Sequence, residues 1–445
     1  MNILIFTTYY SPGHEKRDLN LVREFINSNN NIIYAVPVIG IDNFVFPVYP
    51  DSYKEDKDFQ SVNTFWFNNR YDLLKKIDFA DLVLMGTCRG LEDIKDYIKK
   101  TGKPLIQHQD IGGFLNNHNF PDLYCVRGEW HKQRLLKYSS FPEEKIVITG
   151  CVQFDAACPK IENNISKEDF CKKYNLNPNK KIAVWLPSSP ANHNSAYKQL
   201  YKDIIRTVND CDHFQVIIKG HPSDYSGHKR DRNYKNLGKK SWELLTPGTP
   251  VCQLEDVYNC FRFCDVGISV CSSVSMEFPL FKKPFIYVNL HEELLPEGIE
   301  NIVKIPRESI VSASLSKLMV HENVMKIARI SKQMPTNFTN PKRYENGEFE
   351  YIGIECHIDQ LHDVLNSNAW DVNDHSIYDH YVQKYCFKND GLAYKRIYEE
   401  TINYLTKHQK RKTILHFFNK VIMKQKARIK PAIKSLIKQF KSKNN

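Results

Sequence analysis

Two apolar runs end in residues that could hold a phosphate. The first is Phe214-Gln215-Val216-Ile217-Ile218, followed at once by Lys219-Gly220-His221-Pro222. The second, Val266 to Val270, ends in Cys271-Ser272-Ser273 and continues into Met276-Glu277. A short β-branched run bounded by Gly and Pro reads as a buried parallel strand. In open α/β sheets ligands bind at the carboxyl ends of such strands. One strand end offers Lys219 and His221, whose positive charge would oppose phosphate oxygens. The other offers Ser272 and Ser273 at a helix start, where hydroxyls and free N–H groups receive anions. Glu277, one turn into that helix, could accept hydrogen bonds from ribose hydroxyls. A third strand, Ile182 to Leu186, leads through Pro187 to Ser188 and Ser189, a further candidate for phosphate or sugar. Each motif also has a plainer meaning: a strand-end histidine, a serine N-cap, a Pro-Ser-Ser-Pro turn. Their recurrence in one domain favours a site.

In the first half, His14, His108 and Asp110 stand in loops after strands and are candidates for a general base acting on an acceptor hydroxyl. Gly13 before His14 and Gly112-Gly113 after Asp110 would let backbone approach a ligand closely. The residues themselves do not choose among the three.

These positions need a scaffold, and the pattern supplies one. Strand-like runs at Asn2–Thr7, Ile32–Pro37, Leu82–Met85, Leu105–Gln107, Leu123–Val126 and Ile146–Ile148 alternate with helical stretches such as Asp18–Asn27 and Leu91–Lys100. A polar connection from Cys158 to Asn179 precedes a second series, Ile182–Leu186, Val216–Ile218, Val266–Val270 and Phe285–Val288. Such alternation predicts α/β architecture: two Rossmann-like doubly wound parallel-sheet domains facing a cleft. Beyond about Asn340 the sheet pattern fades into helical segments. The expected division is 1–160, the acceptor side; 161–355, the nucleotide-donor side; 356–405, helices crossing back to the first domain; and 406–445, a basic amphipathic tail.

Composition bounds the class. A chain of 445 residues with 42% hydrophobic and 12% aromatic residues is globular and too long for one ordinary core. No run approaches the ~20 apolar residues of a membrane-spanning helix. The first residues read as a strand, not a leader peptide. Twelve cysteines without regular short spacing suit a reducing cytoplasm and buried core positions. Cys252, Cys260, Cys264 and Cys271 are spaced too widely for a zinc knuckle, and no metal site is expected.

The net charge of +11 is uneven. From Thr401 onward there are eleven Lys, two Arg and no acid, so subtracting that +13 leaves residues 1–400 at −2. Within the tail, Ile414, Phe417, Phe418, Val421 and Ile422 recur at helical spacing, and Ile429, Ile433, Leu436, Ile437 and Phe440 follow. A basic helix with an apolar stripe suits an anionic lipid surface, each cation contributing ~1 kcal/mol. Nucleic acid would answer the charge but leave the stripe without a partner, so none is expected. Packing of the tail on the body is the remaining alternative.

The motifs resemble those of two-domain GT-B transferases, most closely the branch holding CDP-glycerol glycerophosphotransferases, capsule Kdo transferases and bacterial sialyltransferases. The residues that carry the resemblance are Lys219-Gly220-His221-Pro222, the run Asp265 to Glu277, and Phe281-Lys282-Lys283-Pro284-Phe285-Ile286. Lys145 to Gly150 resembles the close of the first domain in these enzymes and in UDP-GlcNAc 2-epimerases. Asp390-Gly391-Leu392-Ala393 resembles the start of the helix that crosses back. The resemblance implies that His221 and Ser272-Ser273 hold donor phosphates, that Glu277 holds the ribose, and that the first domain supplies acceptor and base. In the glycerophosphotransferases the base is a strand-end His-Gly; here His108 is followed by Gln109.

The expected function is transfer of a sugar or polyol phosphate from a nucleotide-activated donor, with CDP-alditol or CMP-sugar favoured over UDP-sugar. The acceptor would be a cell-surface polysaccharide, a teichoic-type polymer or a lipid-linked glycan. The donor is a substrate, so no cofactor is expected. The enzyme would sit on the cytoplasmic face of the membrane through residues 406–445. The alternatives are a UDP-GlcNAc 2-epimerase-like enzyme and a polybasic membrane or nucleic-acid adaptor on an inactive transferase fold.

Overall fold

Leu82–Met85, Leu105–His108 and Leu123–Val126 are buried at every residue. Strands covered on both faces need helices above and below, which parallel connections provide. The structure, a computed structural model, describes residues 1–6, 14–37, 54–67, 69–86, 92–108, 121–138, 140–158, 165–187, 195–220, 246–253, 257–269, 273–289, 352–372 and 374–408.

The first sheet holds β1 (Asn2–Phe6), β2 (Asn31–Pro37), β3 (Thr64–Phe67), β4 (Leu82–Met85), β5 (Leu105–His108), β6 (Leu123–Val126) and β7 (Ile146–Ile148). Their order is β3-β2-β1-β4-β5-β6-β7, and every pairing is parallel. The chain leaves β1 in one direction and returns on its other side at β4. That reversal makes the carboxyl ends of β1 and β4 a topological switch point. On one face Leu4, Phe6, Val83, Met85 and Leu105 pack against Leu73 and Ile77 of helix Arg70–Phe79 and Ile94 and Ile98 of helix Glu92–Lys100.

The second sheet holds β8 (Lys181–Trp185), β9 (Phe214–Ile218), β10 (Val266–Ser269), β11 (Phe285–Asn289) and β12 (Gly353–His357), in the order β12-β11-β10-β8-β9, again wholly parallel. Here the reversal lies between β8 and β10. The two doubly wound parallel sheets agree with the expected fold class. β12 departs from the expectation that strands end before 340; it adds an edge through Phe285↔Gly353 to Asn289↔His357. The supposed polar connection contains helix Lys167–Lys173, started by a Ser166–Asp169 capping box. Its Phe170 and Cys171 enter the core beneath β8.

After β12 the chain runs through helices Ile358–Asn366 and Ser376–Tyr381 into a π-helical turn, Val382–Cys386, and residues 393–397 are helical. Cys151, Phe154 and Ala157 from the end of the first half share one core with Leu280, Ile352, Tyr378, Tyr381 and Tyr385. Asp155 caps the helix at 393: its carboxylate accepts from Ala393 N–H (2.9 Å) and Tyr394 N–H (3.0 Å). Arg396 Nε donates to Thr149 O at 2.7 Å while its guanidinium holds Asp390. Residues 1–397 form one unit; residues 398–445 form a second, whose described part, 398–408, is helical.

Burial pushes the Asp155 carboxyl up to about 6, against the lowering effect of its two backbone donors and Arg396. The folded chain therefore holds a proton that the unfolded chain has lost between about pH 4 and 6. The contribution of this group is greatest below pH 4 and falls as pH rises through 6, by up to roughly 3 kcal/mol. The difference in unfolding free energy between the native chain and Asp155→Asn, measured by denaturant titration, should decline by about that amount from pH 4 to 7. A difference independent of pH would refute the assignment.

Candidate functional site

Three strand ends stand side by side at the carboxyl edge of the second sheet, because β8 lies between β10 and β9. The ladder continues past the strands: Lys219 N–H donates to Trp185 O at 2.9 Å and Leu186 N–H to Ile268 O at 2.9 Å. Ser269 Oγ donates to Leu186 O at 2.6 Å, tying the end of β10 to that of β8. With neighbouring strands ~4.8 Å apart, chain leaving β9 and chain leaving β10 begin about 10 Å from each other. That gap suits a diphosphate. Lys219, at the end of β9, is buried. Burial chiefly, then Cys252, holds the Cys260 thiol well above its ordinary range, and the Lys219 ammonium works against them. The cation thus acts on Cys260, which shares one apolar core with Cys252 and Cys264. All ten cysteines among the described residues are free and buried.

The segment after β10 is not the α-helix expected. It forms two 3-10 turns, Ser273–Met276 and Phe278–Phe281. Pro279 in the first positions of the second turn has no N–H to give, which prevents an α-helix from running through it. The turns are pressed on the sheet because Gly267 of β10 has no side chain; a Cβ there would lie 2.5 Å from the Phe278 ring. Glu277 falls at the junction of the turns and is buried, its N–H donating to Val274 O at 2.8 Å.

Of the other expected donor residues, Ser188, His221 and Ser272 lie outside the described residues, while Ser273 opens the first 3-10 turn. The strand order brings the ends that carry them together.

In the first half, His14 opens the helix that follows β1 at the switch point, and Asp110 lies outside the described residues. His108 is the last residue of β5, paired in register with Cys125 and buried. Burial lowers its imidazole to about 4, so it is neutral at physiological pH and a weak proton acceptor.

Arg127 was not among the residues expected. It follows β6 directly, is 1% exposed, and donates through Nη1 to Met276 Sδ at 3.7 Å. The carboxyl edge of the first sheet therefore meets the serine-bearing turn of the second. A cation just after a strand is the signal that marked Lys219, and it could have marked Arg127. Among the described residues no three His, Cys, Asp or Glu gather as a metal set, and no helix is long and apolar enough to cross a membrane.

No family model and no curated sequence matches the chain. Solved structures do. MnaA of S. aureus, crystallised with UDP, superposes with a TM-score of 0.54 at 12% identity, covering 91% of this chain and 97% of that one. UDP-GlcNAc 2-epimerase of Neisseria meningitidis, bound to UDP-GlcNAc, gives 0.52 at 12% identity, with 91% and 100% covered. The fold is GT-B-like. The wall teichoic acid polymerase TagF also superposes, at 0.50 and 12% identity over 91% of this chain and 90% of that one. At such identities the likeness speaks for GT-B architecture alone. The GT-B neighbours are enzymes, and their reactions differ.

Proposed function

We propose that the chain is a GT-B transferase that takes a sugar or polyol phosphate from a nucleotide-activated donor. One observation carries this reading: three adjacent parallel strand ends at a switch point, one leading to Lys219 and His221, one to Ser188 and one to the serine turn. Cations and N–H groups aimed at the departing phosphate would stabilise the charge that grows there in the transition state. His221 and the Ser272-Ser273 pair would hold the phosphates and Glu277 the ribose, with no metal required. On the acceptor side, the weak basicity of His108 favours His14 or Asp110 for deprotonating the hydroxyl. CDP-alditol or CMP-sugar is the favoured donor, and a surface glycan, teichoic-type polymer or lipid-linked glycan the acceptor. Residues 409–445 of the basic tail lie outside the described residues; its stripe and charge support an anionic membrane as its partner.

The epimerase reading draws support from the superposition on the meningococcal UDP-GlcNAc 2-epimerase. An epimerase needs no acceptor, which separates the two. Incubation with UDP-GlcNAc alone should yield no UDP-ManNAc; its appearance would displace the transferase reading. For the donor itself, thermal unfolding with CMP, CDP, UDP and GDP is the direct test. A nucleotide at ~100 times its dissociation constant adds ~2.7 kcal/mol to stability. A cytidine nucleotide is expected to raise the melting temperature most. No shift with any of the four would remove the nucleotide from the account.

A further inference from the structure

Six residues from three separated stretches close a ring of contacts that passes through Met276, the last residue of the serine-bearing turn. Arg127, after β6, donates through Nη2 to His131 Nε2 at 2.5 Å, so that Nε2 is the accepting nitrogen and the ring proton sits on Nδ1. The His131 ring meets its neighbour Trp130 edge-on at 4.8 Å. Trp130 packs on Tyr385 of the π-helical turn at 5.5 Å, and Tyr385 on Tyr381 at 4.9 Å. Tyr381 Oη donates to Met276 O at 3.0 Å, and Met276 Sδ accepts from Arg127 Nη1 at 3.7 Å, which returns to the start.

Met276 is thus held at its side chain by the first half and at its backbone by the returning segment. It is the residue before Glu277. Two further features show that the ring is built for closeness. Gly128 lets the backbone of Lys384 and Tyr385 lie directly on the β6 junction, since a Cβ would stand 2.7 Å from the Tyr385 carbonyl carbon. The π-turn itself, Val382–Cys386, is a rare geometry that is frequent at functional sites.

We propose that Arg127 and Tyr381 are positioning residues that grip the 273–277 turn from two sides, so that the first sheet and the returning segment set the shape of the donor-binding edge of the second. The proposal rests on the donor reading above for its functional meaning, and on geometry alone for the grip. Arg127 keeps its charge at any working pH. It also faces the Phe154 ring at 5.4 Å, which fixes the guanidinium plane from the first half. A shift of β6 relative to β10 would therefore be felt at Met276 before it reached Glu277.

The test uses the full chain and three variants, Tyr381→Phe, Arg127→Gln and Arg127→Lys. Amide hydrogen exchange of the ligand-free protein reads the grip; the dissociation constant for CDP and UDP reads its consequence. Tyr381→Phe removes one hydroxyl and keeps the ring stack, so the fold is expected to persist. Exchange at 274–277 should quicken at least ~10-fold in Tyr381→Phe and Arg127→Gln, with β1 and β8 at native protection. Nucleotide affinity should weaken about tenfold in both, and Arg127→Lys should recover part of it. Should Arg127→Gln fail to fold, Tyr381→Phe still decides. Unchanged exchange at the turn in Tyr381→Phe overturns the proposal, as does loss of protection spread equally over both sheets. If the native chain binds none of CMP, CDP, UDP or GDP, the donor reading fails instead, and exchange alone judges the ring.

Discussion

Replacing His221 by alanine is expected to lower turnover by at least ~100-fold in a donor-consumption assay, with the melting temperature of the free protein little changed. The expectation follows from position. In sequence His221 comes two residues after Lys219, whose backbone bonds to Trp185 at the end of β8; β8 in turn lies beside β10, the strand that leads to the serine turn. Removing a single group that faces developing charge in a water-poor site typically costs about 10²–10³ in rate. The loss should fall mainly on turnover, with a smaller rise in the donor's dissociation constant, because the charge on the leaving phosphate grows in the transition state. Near-native turnover would show that the phosphates are held elsewhere.

A large effect on stability is expected at Gly128, away from any reacting atom. A β-carbon there would lie 2.7 Å from the Tyr385 carbonyl carbon and 2.8 Å from the Lys384 and Tyr385 oxygens, all of them backbone. A flexible side chain could swing aside; a π-turn fixed by Tyr381 and Tyr385 in a core cannot. Overpacking ordinarily costs ~1–3 kcal/mol. Gly128→Val, which adds three carbons against backbone, should exceed ~4 kcal/mol in denaturant unfolding, the range reserved for a named structural fault. Gly102, where a Cβ meets nothing within 4 Å, is the contrasting site. Its φ of +69° still disfavours a side chain, so Gly102→Ala should cost ~1 kcal/mol. Equal losses at the two positions would mean that contact with the π-turn carries no special weight.

The double sheet was legible because its strands are runs of β-branched and aliphatic residues buried on both faces. No alternation of polar and apolar residues is needed for this: Leu82 to Met85 is apolar at every position. The two strands that escaped, β3 and β12, lack that signature. β3 is the four-residue Thr-Phe-Trp-Phe at one edge of its sheet, and β12, Gly-Ile-Glu-Cys-His, carries a glycine and a glutamate at the edge of the other. β3 buries only Phe67 fully, so its composition is less constrained. Ser272-Ser273 looks like the start of an α-helix; Pro279, a few residues on, is the clue that the segment breaks into 3-10 turns. Lys219 was visible since its strand precedes it unmistakably. Arg127 follows an equally clear strand, and what hid it was its partners: Met276 lies 149 residues away in sequence, a separation no local pattern reports.

One contact also bears on how the chain is made. The cap that Asp155 offers to Ala393 joins residues 238 positions apart. Translation at ~5–20 residues per second leaves roughly 10–50 s between their emergence from the ribosome. During that interval the nascent first half exposes Cys151, Phe154 and Ala157, which the finished protein covers with residues that include Ile352, Tyr378 and Tyr385. A chaperone that shields this apolar strip until the end of the polypeptide arrives would raise the yield of correctly assembled protein.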